Sequence, residues 1–121
     1  MRASSLRVLF GSLRVVFFYL LWRLTGLKSL GWQLIRALGD EEESVRTLTG
    51  MLLVRAGPLA EPLLLDALRQ RIHLAIVLII FADIGDRRME GEIRRFRDDP
   101  DPHVSGAAQQ ALAILAAPAS R

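Results

Sequence analysis

The sequence predicts an all-α chain, about three stacked helix pairs following an apolar N-terminal helix. Three observations carry that prediction. From Ala37 to Ala116 a pattern recurs about every thirty residues, a period typical of stacked helix pairs. Its turns share a design, an apolar helix end, an acidic turn and a Val that restarts an apolar run. It is seen in Ala37-Leu38-Gly39-Asp40-Glu41-Glu42-Glu43-Ser44-Val45-Arg46 and in Arg97-Asp98-Asp99-Pro100-Asp101-Pro102-His103-Val104. A worn copy stands at Ala67-Leu68-Arg69-Gln70-Arg71-Ile72-His73. The intervening segments, about twelve residues each, are apolar at helical spacing and stop at Ala56-Gly57, Ile84-Gly85 and Ala116-Ala117.

The first element, residues 1–27, is basic and apolar. It holds Val8, Leu9, Phe10 and Leu13, then an unbroken run from Val15 to Trp22. Three readings of it stand side by side. As a membrane span it is interrupted by Arg14 and Arg23, and an arginine near mid-bilayer costs about 2.5–3.5 kcal/mol. As a removed targeting segment it has the basic start and short apolar core, but Trp22-Arg23-Leu24-Thr25-Gly26 is a poor cleavage site. As an interfacial helix it would set Phe17, Phe18 and Trp22 in the apolar layer, with Arg7, Arg14 and Arg23 reaching the headgroups. Arg7 and Arg14 share a face, while Arg23 projects about 180° from Arg14 at 100° per residue, so the basic residues do not form one clean face. The competing structural reading is a cap that buries its apolar side on the end of the stack. Because residues 15–22 offer no polar outer side, lipid, a second copy or a partner is expected to cover what the cap leaves open.

Three helix pairs follow, over about residues 28–57, 58–85 and 86–116, with residues 117–121 a frayed tail. Trp32, Leu34, Ile35 and Leu38 mark a short helix that Gly39-Asp40 ends. Ser44 is the expected N-cap of the next, with Glu41 to Glu43 at its positive end. Gly57-Pro58 stops that helix, and Pro62 sits in the first turn of its successor, where a missing N–H costs nothing. Ile72 to Ile84 is apolar nearly all round; its length favours a helix over a buried strand. Met89, Ile93 and Phe96 mark a further short helix, and Val104, Ala107, Ala108, Ala111, Leu112 and Leu115 a last one suited to close packing.

These turns resemble those of the HEAT-repeat family, in particular the short bacterial HEAT-like repeats first associated with phycobilisome lyases. The matching pieces are Leu38 to Arg46, Phe81-Ala82-Asp83-Ile84-Gly85-Asp86 and Asp98 to Val104, within a stretch from about residue 28 to 116. The resemblance implies an armadillo-type α-solenoid whose second helices line a concave binding side. It also implies an Asp–Arg ladder between repeats. Asp40 and Arg46 match it; Ser105 replaces the Arg after Asp99, and the middle repeat has Gln70 or Arg71 and Leu74 instead.

A helix apolar on every side must be covered on every side. Aligned on the turns, Leu74 pairs with Arg46 and Ser105, and Leu78 with Gly50 and Gln109. Two leucines in the groove, rimmed by Arg46, Ser105 and Gln109, are therefore the expected partner contact, with self-coverage by the N-terminal helix as the alternative.

The chemistry of catalysis is thin. No cysteine is present among the 121 residues, which excludes disulfides and thiolate sites and fits a reducing, cytoplasmic setting. His73 and His103 are the only histidines and lack a third ligand at metal spacing. Asp98, Asp99 and Asp101 read as a turn broken by Pro100 and Pro102 rather than a calcium loop. No phosphate loop, serine elbow or nucleotide fingerprint appears. Arg87, Arg88, Arg94, Arg95 and Arg97 form a basic cluster, but Glu90 and Glu92 lie among them, so a salt-bridged face is preferred to phosphate contact. The net charge of +3 divides unevenly, with six basic and no acidic residues in 1–38. That asymmetry suits a membrane surface or an acidic partner for the N-terminal part. The expected protein is a non-catalytic binding or scaffold module with no cofactor. It is attached to the inner face of a membrane, or to a complex, through its first helix, and contacts a protein partner or a second copy through the concave face. A lyase-accessory role is the alternative implied by the family, and weak nucleic-acid binding through Arg87 to Arg97 is a third.

Overall fold

The computed structural model describes residues 3–117, which are helical with no strand among them. The elements are α1 (Ala3–Thr25), α2 (Lys28–Ala37), α3 (Glu43–Ala56), α4 (Glu61–Arg69), α5 (Leu74–Ile84), α6 (Glu90–Arg94) and α7 (Pro102–Ala116). Short 3₁₀ turns at Gly57–Ala60 and Arg87–Met89 lead into α4 and α6. The chain divides into two compact units at the Ala56–Gly57 bond.

In the first unit α1 packs along α2 and α3. Val15, Tyr19 and Trp22 recur at spacings of four and three, which puts them on one helix face, and all three are buried. Leu34 and Ile35 of α2 and Val45 and Leu53 of α3 are buried completely. The approach of α1 to α3 depends on a glycine, since a Cβ at Gly11 would lie 2.8 Å from Cγ2 of Val45. Gly26 ends α1 in the left-handed region (φ 72°), its N–H donating to the Trp22 carbonyl at 2.7 Å.

In the second unit α4 packs on α5, α6 on α7, and α5 most extensively on α7. α5 is a helix, so the strand alternative is excluded, and Gly85 (φ 83°) caps its end. Leu74, Val77, Leu78, Ile80, Phe81 and Ala82 are buried, facing a small-residue helix whose Ala107, Ala108 and Ala111 allow close approach. Pro62 stands in the first turn of α4, as expected. Ser44 does not cap α3: it lies inside the helix, and the turn is closed instead by Asp40, whose Oδ1 accepts the Glu42 N–H at 2.9 Å. Of the expected frayed tail, Ala117 ends the described region, and 118–121 lie outside it.

Candidate functional site

The face of α1 opposite Val15, Tyr19 and Trp22 is open. Leu6, Phe10, Leu13, Phe17, Leu20 and Leu24 follow one another at spacings of four, three, four, three and four. Each is more than half exposed, Leu24 as much as 82%. At about 100° per residue these six fall on one stripe, roughly half a turn from the buried line. Leu9 widens the stripe, and Leu27 extends it past the helix end. Over the eighteen steps from Leu6 to Leu24 the stripe runs about 27 Å. Soluble monomers seldom leave large apolar side chains contiguous and exposed.

Arginines flank the stripe on both sides. Arg7 and Arg14 project about 90° to one side of it and Arg23 about 90° to the other. The opposition of Arg14 and Arg23, which in the sequence spoils a single basic face, therefore borders the apolar stripe on two sides. Each guanidinium is positioned. Arg14 Nη2 reaches Asp40 Oδ2 at 3.3 Å, and Arg7 lies 4.0 Å from Glu41. Arg23 Nη1 donates to the Tyr19 hydroxyl at 2.8 Å and its guanidinium carbon lies 5.7 Å from the Tyr19 ring centroid. Between Arg7, Phe10, Arg14 and the Asp40–Glu42 turn lies a solvent-open cleft of about 510 Å³.

The residues expected at a membrane interface thus divide. Phe17 is on the open stripe, whereas Phe18 is half-buried, its ring meeting that of Phe17 edge-on at 5.8 Å. Trp22 is a correction: it is buried beside Tyr19, so it belongs to the protein side of α1. Sequence reasoning on the aromatic run missed Leu6, Phe10, Leu13, Leu20 and Leu24. The four-three alternation that includes them was the available signal.

The expected groove leucines are also corrected. Leu74 and Leu78 are covered by the chain itself, Leu78 fully. The helix is apolar all round because its own neighbours close over it, and only Ile76 among its large side chains is exposed. Of the residues expected at the rim, Arg46 folds back on its own turn. Its Nη1 donates to the Asp40 carbonyl at 2.6 Å and the Glu41 carbonyl at 3.1 Å. Gln109 is exposed and donates weakly to the Arg97 carbonyl at 3.4 Å; Ser105 is half-buried and bonds the Pro102 carbonyl.

A turn-to-turn contact does exist in the second unit, with altered chemistry. Arg71, standing where the other turns place Asp, donates through Nη2 to both carboxylate oxygens of Asp99 at 3.0 and 3.2 Å. The Asp99 side chain is only 8% exposed. The Asp101 backbone N–H, and after it Arg71, hold the Asp99 carboxyl below its ordinary range against the opposing effect of burial. The backbone of Arg71 is left-handed (φ 57°), and so is that of His73 (φ 51°).

A second carboxylate site lies at the start of α4. Burial raises the pKa of Glu61, and its hydrogen bond and charge contact with Asp86 raise it further. Asp86 is held well below its ordinary range, first by Arg88, whose Nε and Nη2 donate to it at 3.0 and 2.9 Å, then by Glu61. The contact with Asp86 thus favours the protonated form of Glu61, whose Oε2 has no partner. In the basic cluster Arg88 is engaged by Asp86 and Arg94 by Glu90. Neither exposed histidine uses its side chain as a cap: His73 precedes α5 without a side-chain bond, and the backbone N–H of His103 donates to Asp101. Among the described residues no group of three or more His, Cys, Asp or Glu is arranged to hold a metal ion.

Comparison with protein-family models, with curated proteins and with solved structures gave no match. The class that the geometry defines is an all-α protein with one extended apolar helix face.

Proposed function

We propose that this protein is a non-catalytic binding or scaffold module of HEAT-like helix pairs, attached through α1 to a membrane or a larger complex. The observation that carries the reading is the open stripe of Leu6, Phe10, Leu13, Phe17, Leu20 and Leu24 on a helix whose other face is packed. Leaving six large apolar side chains in water along one line forgoes a large hydrophobic gain, of roughly 1.5–3 kcal/mol for each one fully buried. Attachment recovers part of that. The turns support the helix-pair reading, since Asp40, Asp86, Asp99 and Asp101 each accept the N–H two residues on.

The test is a comparison of the full chain with Phe17→Glu. The reading expects wild-type protein in the particulate fraction or in assemblies. The variant should be a soluble monomer with the same helix content and thermal midpoint, because Phe17 contributes little to the packed core. Identical monomeric behaviour of both proteins contradicts it.

A further inference from the structure

We infer that the body to which α1 attaches is an anionic lipid surface, and that α1 lies in its plane rather than crossing it. The inference rests on the attachment reading above and names its partner.

Three occupants of the stripe compete: lipid, a second copy of this chain, and another protein. The four-three spacing of the leucines and phenylalanines is that of a coiled-coil seam, so a second copy is the strongest rival. Charge decides against it. The positions beside a seam select partners by pairing opposite charges. Here the charged residues of α1 that border the stripe are Arg7, Arg14 and Arg23, and Ser5–Thr25 carries no acidic residue. Two such helices laid seam to seam bring arginine rows together. An anionic headgroup layer meets the same rows with opposite charge on both flanks, at the height where an arginine reaches from a half-immersed helix to the phosphates. Asp40 and Glu41 temper the charge of one flank only, leaving Arg23 on the other held by a neutral tyrosine.

Orientation follows from the buried face. Ser5–Thr25 is long and apolar enough to cross a bilayer by length and composition. A spanning helix would be surrounded by lipid, which requires stripping Val15, Tyr19 and Trp22 from α2 and α3. The acidic turn that binds Arg7 and Arg14 would have to be abandoned or carried into the apolar layer. A helix lying in the interface keeps every one of these contacts and immerses only the stripe.

The test is flotation of the purified full chain with vesicles of phosphatidylcholine alone, or with about 30% phosphatidylglycerol added. The proposal expects binding at least about tenfold stronger with phosphatidylglycerol, weakened by raising salt from 0.1 to about 1 M, and lost in Phe17→Glu. Because the native chain has no cysteine, a dye can be placed at residue 6, 13 or 20 through Leu6→Cys, Leu13→Cys and Leu20→Cys. Quenching by lipids labelled at known depth should report one shallow depth at all three positions. Depths graded along the helix overturn the in-plane orientation. Absence of flotation with either vesicle, joined to a dimer that Phe17→Glu dissociates, overturns the lipid partner while leaving attachment standing. Absence of flotation with no assembly at all removes both.

Discussion

Arg71 occupies the position after the C-cap of α4, where a left-handed backbone lets the Ile72 N–H bond the Ala67 carbonyl at 2.9 Å and the Arg71 N–H bond the Leu68 carbonyl at 3.1 Å. Glycine is the usual residue there. A left-handed conformation costs an L-residue about 1–2 kcal/mol. Glycine escapes that cost but loses more freedom on folding, by about 0.5–1 kcal/mol. Arg71→Ala and Arg71→Gly both remove the ion pair to Asp99, so the difference between them isolates the backbone. Arg71→Gly should be the more stable by about 0.5–1 kcal/mol, or roughly 4 °C in thermal midpoint. Urea and thermal melts followed by circular dichroism read the difference. Arg71→Ala equal to or more stable than Arg71→Gly would falsify a left-handed turn at this residue. In both variants the Asp99 carboxyl should titrate higher than in wild type, which carbon-detected NMR resolves, because one of the groups that lower it is gone.

Two further predictions concern glycine and the acidic pair. Gly11→Ala and Gly106→Ala should have different effects in the same melts. The first forces a Cβ to within 2.8 Å of Cγ2 of the fully buried, β-branched Val45, and overpacking of this kind costs about 1–3 kcal/mol, which outweighs the gain in helix propensity. The second meets nothing within 4 Å and should stabilise by about 0.5–1 kcal/mol. For the pair, Glu61 has a raised folded-state pKa, so the folded protein binds its proton more tightly than the unfolded chain does. Its contribution is favourable below the ordinary value of 4.5 and is lost as pH rises through the folded value. Glu61→Gln should therefore gain on wild type in thermal midpoint as pH rises from about 4.5 towards neutrality, with the difference constant below it. Asp86 and Asp99 act in the opposite sense: their lowered values contribute stability above the ordinary 3.8 that is lost as pH falls through the folded values.

The helices were readable from residue pattern because their boundaries are local chemistry. Gly57 and Gly85 take positive φ where the sequence places a stop, and Pro62 lies in the first turn of α4. What the pattern did not reveal was which apolar surfaces meet. Leu74 and Leu78 look like surplus grease on alignment, yet α5 is closed over, and coverage depends on contacts far apart in sequence. Trp22 and Phe17 look equivalent in an unbroken apolar run, and only the packing of α1 on α2 and α3 assigns one inward and the other outward. The Arg71–Asp99 contact was hidden for a related reason. It keeps an attraction between turns but puts Arg where a motif comparison expects Asp, and it joins residues 28 positions apart.

The two faces of α1 are tested most directly by thiol reactivity. Val15→Cys and Phe17→Cys each place a single thiol in the chain, one on the packed line and one on the stripe. In the free protein Phe17→Cys should react with a soluble maleimide nearly as fast as an unfolded control, and Val15→Cys slower by a factor on the order of a hundred. Vesicles containing phosphatidylglycerol should slow Phe17→Cys alone. Equal rates at the two positions in the free protein, or protection of Phe17→Cys before any lipid is added, would contradict a helix folded on one face and open on the other.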